Sequence, residues 1–121
     1  MSPARVTLHS PRRFATFART FKGTSLVDQW ESHVAKVGGK VFALCATDGS
    51  DIVFKVSEIS FDGLTGLEGI RQAPYFAKRQ WVSVAAGALS DTDLEAYITA
   101  SYRMIAGKLT HKLRGELGID L

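Results

Sequence analysis

Apolar positions recur every three or four residues over 10–21, where Phe14, Ala15, Phe17, Ala18 and Phe21 form one stripe. Ser10 can cap this segment and Pro11 suits a first helical position, so the pattern predicts a helix that Lys22-Gly23 stops. The period then falls to two. His33–Val37 and Lys40–Cys45 read as strands joined by Gly38-Gly39, a pair that fits a two-residue primed turn. A second turn signal lies at Thr47–Asp51, and a third strand follows at Ile52–Ser57. Residues 60–68 predict a short helix capped by Ser60 and ended by Gly69. Ile70–Tyr75, broken by Pro74, and Arg79–Ala85 complete the strands.

The clearest helix begins at Ser90, with Asp93 three residues on as a capping-box acid. Leu94, Tyr97, Ile98, Ser101, Ile105 and Leu109 share its apolar face, so a serine sits inside an otherwise greasy stripe. A terminal helix at 110–117 spaces Leu113 and Leu117 four residues apart. The element order α-β-β-β-α-β-β-α predicts an α+β fold. The economical arrangement is a two-layer sandwich: an antiparallel sheet of about five strands with helices on one face and the other face open.

Strand side chains alternate between faces. Ile52, Phe54 and Val56 share one face and Val53 and Lys55 the other; Val82 and Val84 oppose Arg79, Trp81 and Ser83. If Phe54 and the valines lie under the helices, Lys55, Arg79 and Trp81 stand on the open face. The alternative puts Trp81 in the core, as tryptophan is usually well buried.

The 121 residues argue for one domain spanning 1–121, with 1–9 as a flexible or extended N-terminal segment. Cys45, the lone cysteine, cannot form an internal disulfide, and no long apolar run marks a signal or a membrane span. A cytoplasmic protein without a membrane partner is expected. The net charge of +3 is unevenly spread. Residues 1–22 carry five bases and no acid, 23–70 three bases and seven acids, and 71–90 three bases and no acid. Two basic blocks that converge in space would attract an anionic partner; if they do not, they are ordinary solvated surface.

Together "GIRQAPYFAKRQWVSV", "LSDTDLEAYITASYRMIAGKL" and "THKLRGEL" resemble the YjbR/MmcQ family of small bacterial proteins, and the "HVAKVGGKVFALC" hairpin fits its first strands. The resemblance implies a two-layer α+β fold like that of type III secretion chaperones and similar in outline to CyaY. The family carries a DNA-binding label drawn from a "double wing" shape. That label is an inference from fold, and fold alone does not set function.

Chemistry-bearing motifs are sparse. His9, His33 and His111 are far apart and show no metal-ligand spacing, so surface or hairpin histidines and no metal or cofactor are expected. Cys45 has no sequence-local base and reads as a small buried hydrophobe. "GLTGLEG" lacks the spacing and the lysine of a phosphate loop. No serine sits in a nucleophile elbow, and an enzyme is not expected. The binding proposal is DNA, with Lys78 and Arg79 on phosphates and Trp81 stacked on a base or lining a groove. Arg71 and Lys55 stand near, and Lys112, Arg114, Arg12 and Arg13 supply further contacts. Two alternatives stay open. One is a protein-interaction module, monomer or homodimer, packed through the open face around Trp81. The other is a small-ligand pocket between sheet and helices near Tyr75, Trp81 and Tyr102.

Overall fold

The computed structural model describes residues 7–121. Helix α1 (Pro11–Ala18) is followed by strands β1 (Thr24–Gln29), β2 (Ser32–Val37), β3 (Lys40–Ala46) and β4 (Asp51–Lys55). Then come α2 (Glu58–Thr65), β5 (Ile70–Gln72), β6 (Trp81–Ala85), α3 (Asp91–Ala106) and α4 (His111–Leu117). The strands form one antiparallel sheet in the order β1-β2-β3-β4-β6-β5. The α+β class and the antiparallel sheet are as expected. Six strands replace about five.

The additional strand is β1. Its sequence, TSLVDQ, has no apolar alternation because an edge strand is only half covered, and Ser25, Val27 and Asp28 are exposed. The turn that joins it to β2 is equally silent in sequence. Trp30 and Glu31 both take left-handed backbone, at φ 54° and 56°, where glycine or asparagine is usual. The expected Gly38-Gly39 turn is present at φ 58° and 80°. Gly38 also has no room for a side chain, since a Cβ there would lie 2.8 Å from the Leu109 methyls.

Other boundaries move for local reasons. α1 ends at Ala18, and a turn carries the chain from Arg19 to Gly23. α2 starts at Glu58 because Ser57, not Ser60, is its cap: Ser57 Oγ accepts from the Ser60 N–H at 3.2 Å. β6 starts at Trp81, because Arg79 is left-handed (φ 65°) and its N–H donates to Gln72 Oε1 at 2.8 Å instead of a ladder partner. β5 stops at Gln72, and Pro74 and Tyr75 turn away. α3 is capped as expected, by Ser90 Oγ accepting from the Asp93 N–H at 3.1 Å.

Ala43, Phe54 and Val82 lie side by side across β3, β4 and β6, and Phe54 stacks on Tyr97 of α3 with centroids 5.7 Å apart. That is the helix-covered face. Phe42 is an extra residue at a bulge, because Ala35 pairs with Ala43 while Lys36 pairs with Val41. The Phe42 ring packs edge-on against Tyr102 at 5.3 Å. The bulge also interrupts the β3–β4 ladder, which has no pair beyond Ala43 and Phe54. Ser101 fills the gap. Its hydroxyl donates to the Phe42 carbonyl at 2.6 Å and accepts the Lys55 N–H at 2.9 Å. A serine in an apolar helical stripe is thereby explained as a hydroxyl inserted into a sheet.

Of the N-terminal segment, residues 1–6 lie outside the described residues, whereas Leu8 and His9 are buried. The expectation of surface or hairpin histidines is therefore corrected at His9. Its Nε2 donates to the Val84 carbonyl at 2.9 Å, which ties the start of the chain to β6.

Candidate functional site

The face away from α3 is uncovered by helices but not bare. One row across it runs Val27, Val34, Leu44, Val53, Ser83 and Arg71, by strand register. A second row carries Lys55 beside Trp81, and a third carries Ser32, Ala46, Asp51 and Ala85. The β5–β6 connection, 73–80, folds back over part of this surface. Phe76 lies on Trp81 with centroids 4.6 Å apart, leaving the indole 8% exposed. Trp81 thus lies on the non-helical face as expected but is shielded there, and a base cannot stack on it without displacing Phe76.

Beside this lid a groove of about 580 Å³ opens. Leu44, Val53 and Ser83 line it from the sheet, Phe76 from the loop, and Trp30 and Tyr75 from its two extremities. Trp30 belongs to the β1–β2 turn and Tyr75 to the β5–β6 loop, at opposite ends and opposite edges of the sheet. Trp30 is 63% exposed and Tyr75 fully exposed. Both sit in left-handed backbone, Tyr75 at φ 69°. Such conformations cost of order 1–3 kcal/mol for residues with side chains, and they cluster where a protein holds a group for use. Arg71 and Asp51 are the charged groups of the groove, and Arg71 has no carboxylate within 4.0 Å among the described residues.

The cations expected to act together are divided. Lys78 is exposed on the loop. Arg79 is held by Asp62 at 3.0 Å and lies over the Phe61 ring at 5.6 Å. Its hydrogen bond to Asp62, then the Asp62 charge, push the guanidinium further above its ordinary range. Lys55 is half-buried, and a hydrogen bond with Lys108, then burial, hold its ammonium below the usual value. Lys112 and Arg114 ride on α4, whose Leu113, with Leu109 just before it, packs against Gly38 at the β2–β3 turn. β4 separates that turn from the β5–β6 loop. Arg13 faces α3, with Asp91 and Glu95 each at 4.0 Å, and Arg12 lines a cleft against β1. Arg71 lines the groove and Lys78 lies on the adjoining loop, and neither of them nor Lys55 has a carboxylate within 4.0 Å among the described residues.

The pocket expected near Tyr75, Trp81 and Tyr102 does not form between sheet and helices. Tyr102 is buried on the helical side, its hydroxyl donating to the Lys22 carbonyl at 2.6 Å, while Tyr75 and Trp81 lie across the sheet. Trp30 and the β1–β2 turn escaped sequence reasoning altogether. The available signal was a lone tryptophan in the polar run "DQWES", which has no apolar neighbours to pack with.

Among the described residues no group of three or more His, Cys, Asp or Glu is placed to hold a metal ion. Cys45 is buried on β3, and burial, then the Asp48 charge, push its thiol up to about 12. Near pH 9 and above, the unfolded chain releases this proton while the folded chain keeps it, so stability falls as pH rises toward 12. By pH ~10.5 the loss from this group is about 2 kcal/mol. Urea titrations across that range are expected to show a flatter decline for Cys45→Ala than for the wild type.

A YjbR family model matches residues 19–104, which is most of the sequence. The chain belongs to the YjbR family. Solved structures share its fold, two of them as follows. The Deinococcus radiodurans protein DR2400, with a DUF419 domain, superposes with a TM-score of 0.83 at 21% identity, covering 92% of this chain and 89% of that one. A Pseudomonas syringae structural-genomics protein gives 0.66 at 18% identity, covering 78% and 97%. At these identities the likeness establishes the shared architecture of YjbR domains and nothing of their ligands. A comparison with curated proteins finds no match. Among the described residues no helix is long and apolar enough to cross a membrane.

Proposed function

We propose that this YjbR chain is a non-enzymatic nucleic-acid-binding domain that takes single-stranded DNA on the uncovered sheet face, not on the Lys78-Arg79 hairpin tip alone. The observation that carries the reading is the pair of exposed aromatics, Trp30 and Tyr75, at the two extremities of one groove whose unpaired cation is Arg71. An exposed ring offers a stacking platform to any base, worth about 1–3 kcal/mol per base. Arg71 and Lys78 supply phosphate contacts beside Tyr75. Asp51 and Glu31 lie toward the Trp30 end and steer the backbone away from it. A duplex hides its base faces, so the groove favours unpaired strands.

A salt titration of a fluorescein-labelled single strand and of the matching duplex tests this. Two phosphate contacts predict a log–log salt slope near about −1.4 for the single strand. Arg71→Glu and Lys78→Glu are expected to weaken binding. Arg79→Glu is expected to change it little, since Asp62 already occupies that side chain. Absence of binding at low salt, or equal weakening by all three reversals, overturns the assignment. The groove volume also suits a single planar anion such as a mononucleotide. Competition by a mononucleotide that matches the strand's own affinity would support that second reading.

A further inference from the structure

A second cleft, of about 610 Å³, lies between α1 and the edge strand β1, on the helical side of the sheet. Arg12 and Thr16 line it from α1 and Arg19 from the helix's C-cap, at spacings of four and three that put them on one side of the helix. Leu26, Asp28 and His33 line it from β1 and β2. Both arginines are exposed, and neither has a carboxylate within 4.0 Å among the described residues. Residues 1–6 contain no acid that could pair with them. The lining also holds one carboxylate, Asp28, whose Oδ1 accepts from Nδ1 of His33 in the same lining at 2.6 Å. Arg13, one position along the same helix, turns instead to Asp91 and Glu95. Arg13 is therefore matched with acids, whereas Arg12 and Arg19 stand at the cleft with no ion pair among the described residues, two guanidinium forks against the single carboxylate of Asp28.

We infer that this cleft binds a small phosphorylated ligand, with Arg12 and Arg19 gripping a phosphate or pyrophosphate group between α1 and β1. Guanidinium forks match phosphate oxygens two at a time, so two of them at one cleft suit a phosphate or diphosphate group. Thr16 lies between them, its hydroxyl donating to the Arg12 carbonyl at 3.0 Å and free to accept or to switch toward a ligand oxygen. Free pyrophosphate and the diphosphate of a nucleotide share this chemistry.

Calorimetric titration of the full chain with pyrophosphate, and separately with a nucleoside diphosphate, tests the assignment. Binding of either is expected, and whichever binds more tightly identifies the source. The Arg12→Gln/Arg19→Gln pair is expected to weaken it at least tenfold, with each single change giving part of the loss. Arg13→Gln and Tyr75→Ala are expected to leave it unchanged, the latter separating this cleft from the groove on the opposite face. Because both arginines are exposed, unchanged circular dichroism is expected for the pair. No detectable heat with either ligand, wild-type affinity in the double variant, or equal weakening by Arg13→Gln overturns the inference.

Discussion

Ser101→Ala is expected to destabilise the chain by about 2–4 kcal/mol, because it leaves a buried carbonyl and a part-buried N–H without their partner at once. The Phe42 carbonyl and the Lys55 N–H face each other across the bulge and meet only through the serine hydroxyl. Ser101 and Phe42 are fully buried, and the Lys55 N–H belongs to a half-buried residue. An unmade hydrogen bond at such a site costs the desolvation of each group, about 1–3 kcal/mol, with no compensating gain. Ser101→Val is expected to cost at least as much, since its bulk excludes a rescuing water. Thr99→Ala, two positions away, removes only a bond back to the Glu95 carbonyl in its own helix and is expected to stay within about 0.5 kcal/mol. Urea denaturation of the three variants provides the measurement. A loss at Ser101 no larger than that at Thr99 would show that the bulge closes without the hydroxyl.

Truncating the two exposed aromatics is the functional counterpart. Trp30→Ala and Tyr75→Ala are each expected to weaken single-strand binding at least about fivefold, the lower end of a lost stacking contact. The two residues sit at opposite edges of the sheet, so their effects are expected to add, to about 30-fold or more in the double variant. Neither change is expected to lower stability much, because neither ring is buried. The salt slope is expected to stay unchanged, since stacking releases no counterions. Binding that survives the double variant while remaining sensitive to Arg71→Glu would reduce the groove to an electrostatic patch without base contacts.

How much of this was legible beforehand varies by element. Long stripes and tight turns were readable. The α3 stripe from Leu94 to Ile105, its Ser90 cap and the Gly38-Gly39 turn follow from periodicity and local backbone preference, and the structure keeps all three. The alternation in β4 placed Phe54 and Ile52 under the helices without coordinates. The edge strand β1 was not readable, since a half-exposed strand requires little apolar pattern and its Trp30-Glu31 turn uses residues that seldom signal one. The candidate site suffered from the same gap. Arg71, Lys78, Arg79 and Trp81 are neighbours in sequence, yet the β5–β6 loop separates their fates. Asp62, from another element, claims Arg79, and Phe76 closes over Trp81.

By itself the sequence determined the class of fold, the family, most of the elements and the inward side of the strands, because each depends on spacing within one segment. Tertiary structure alone decided which charges are spent in ion pairs, which aromatics stay exposed, and why a serine interrupts an apolar helix face. Those outcomes depend on what a distant segment brings within a few ångströms, and no local pattern encodes that distance.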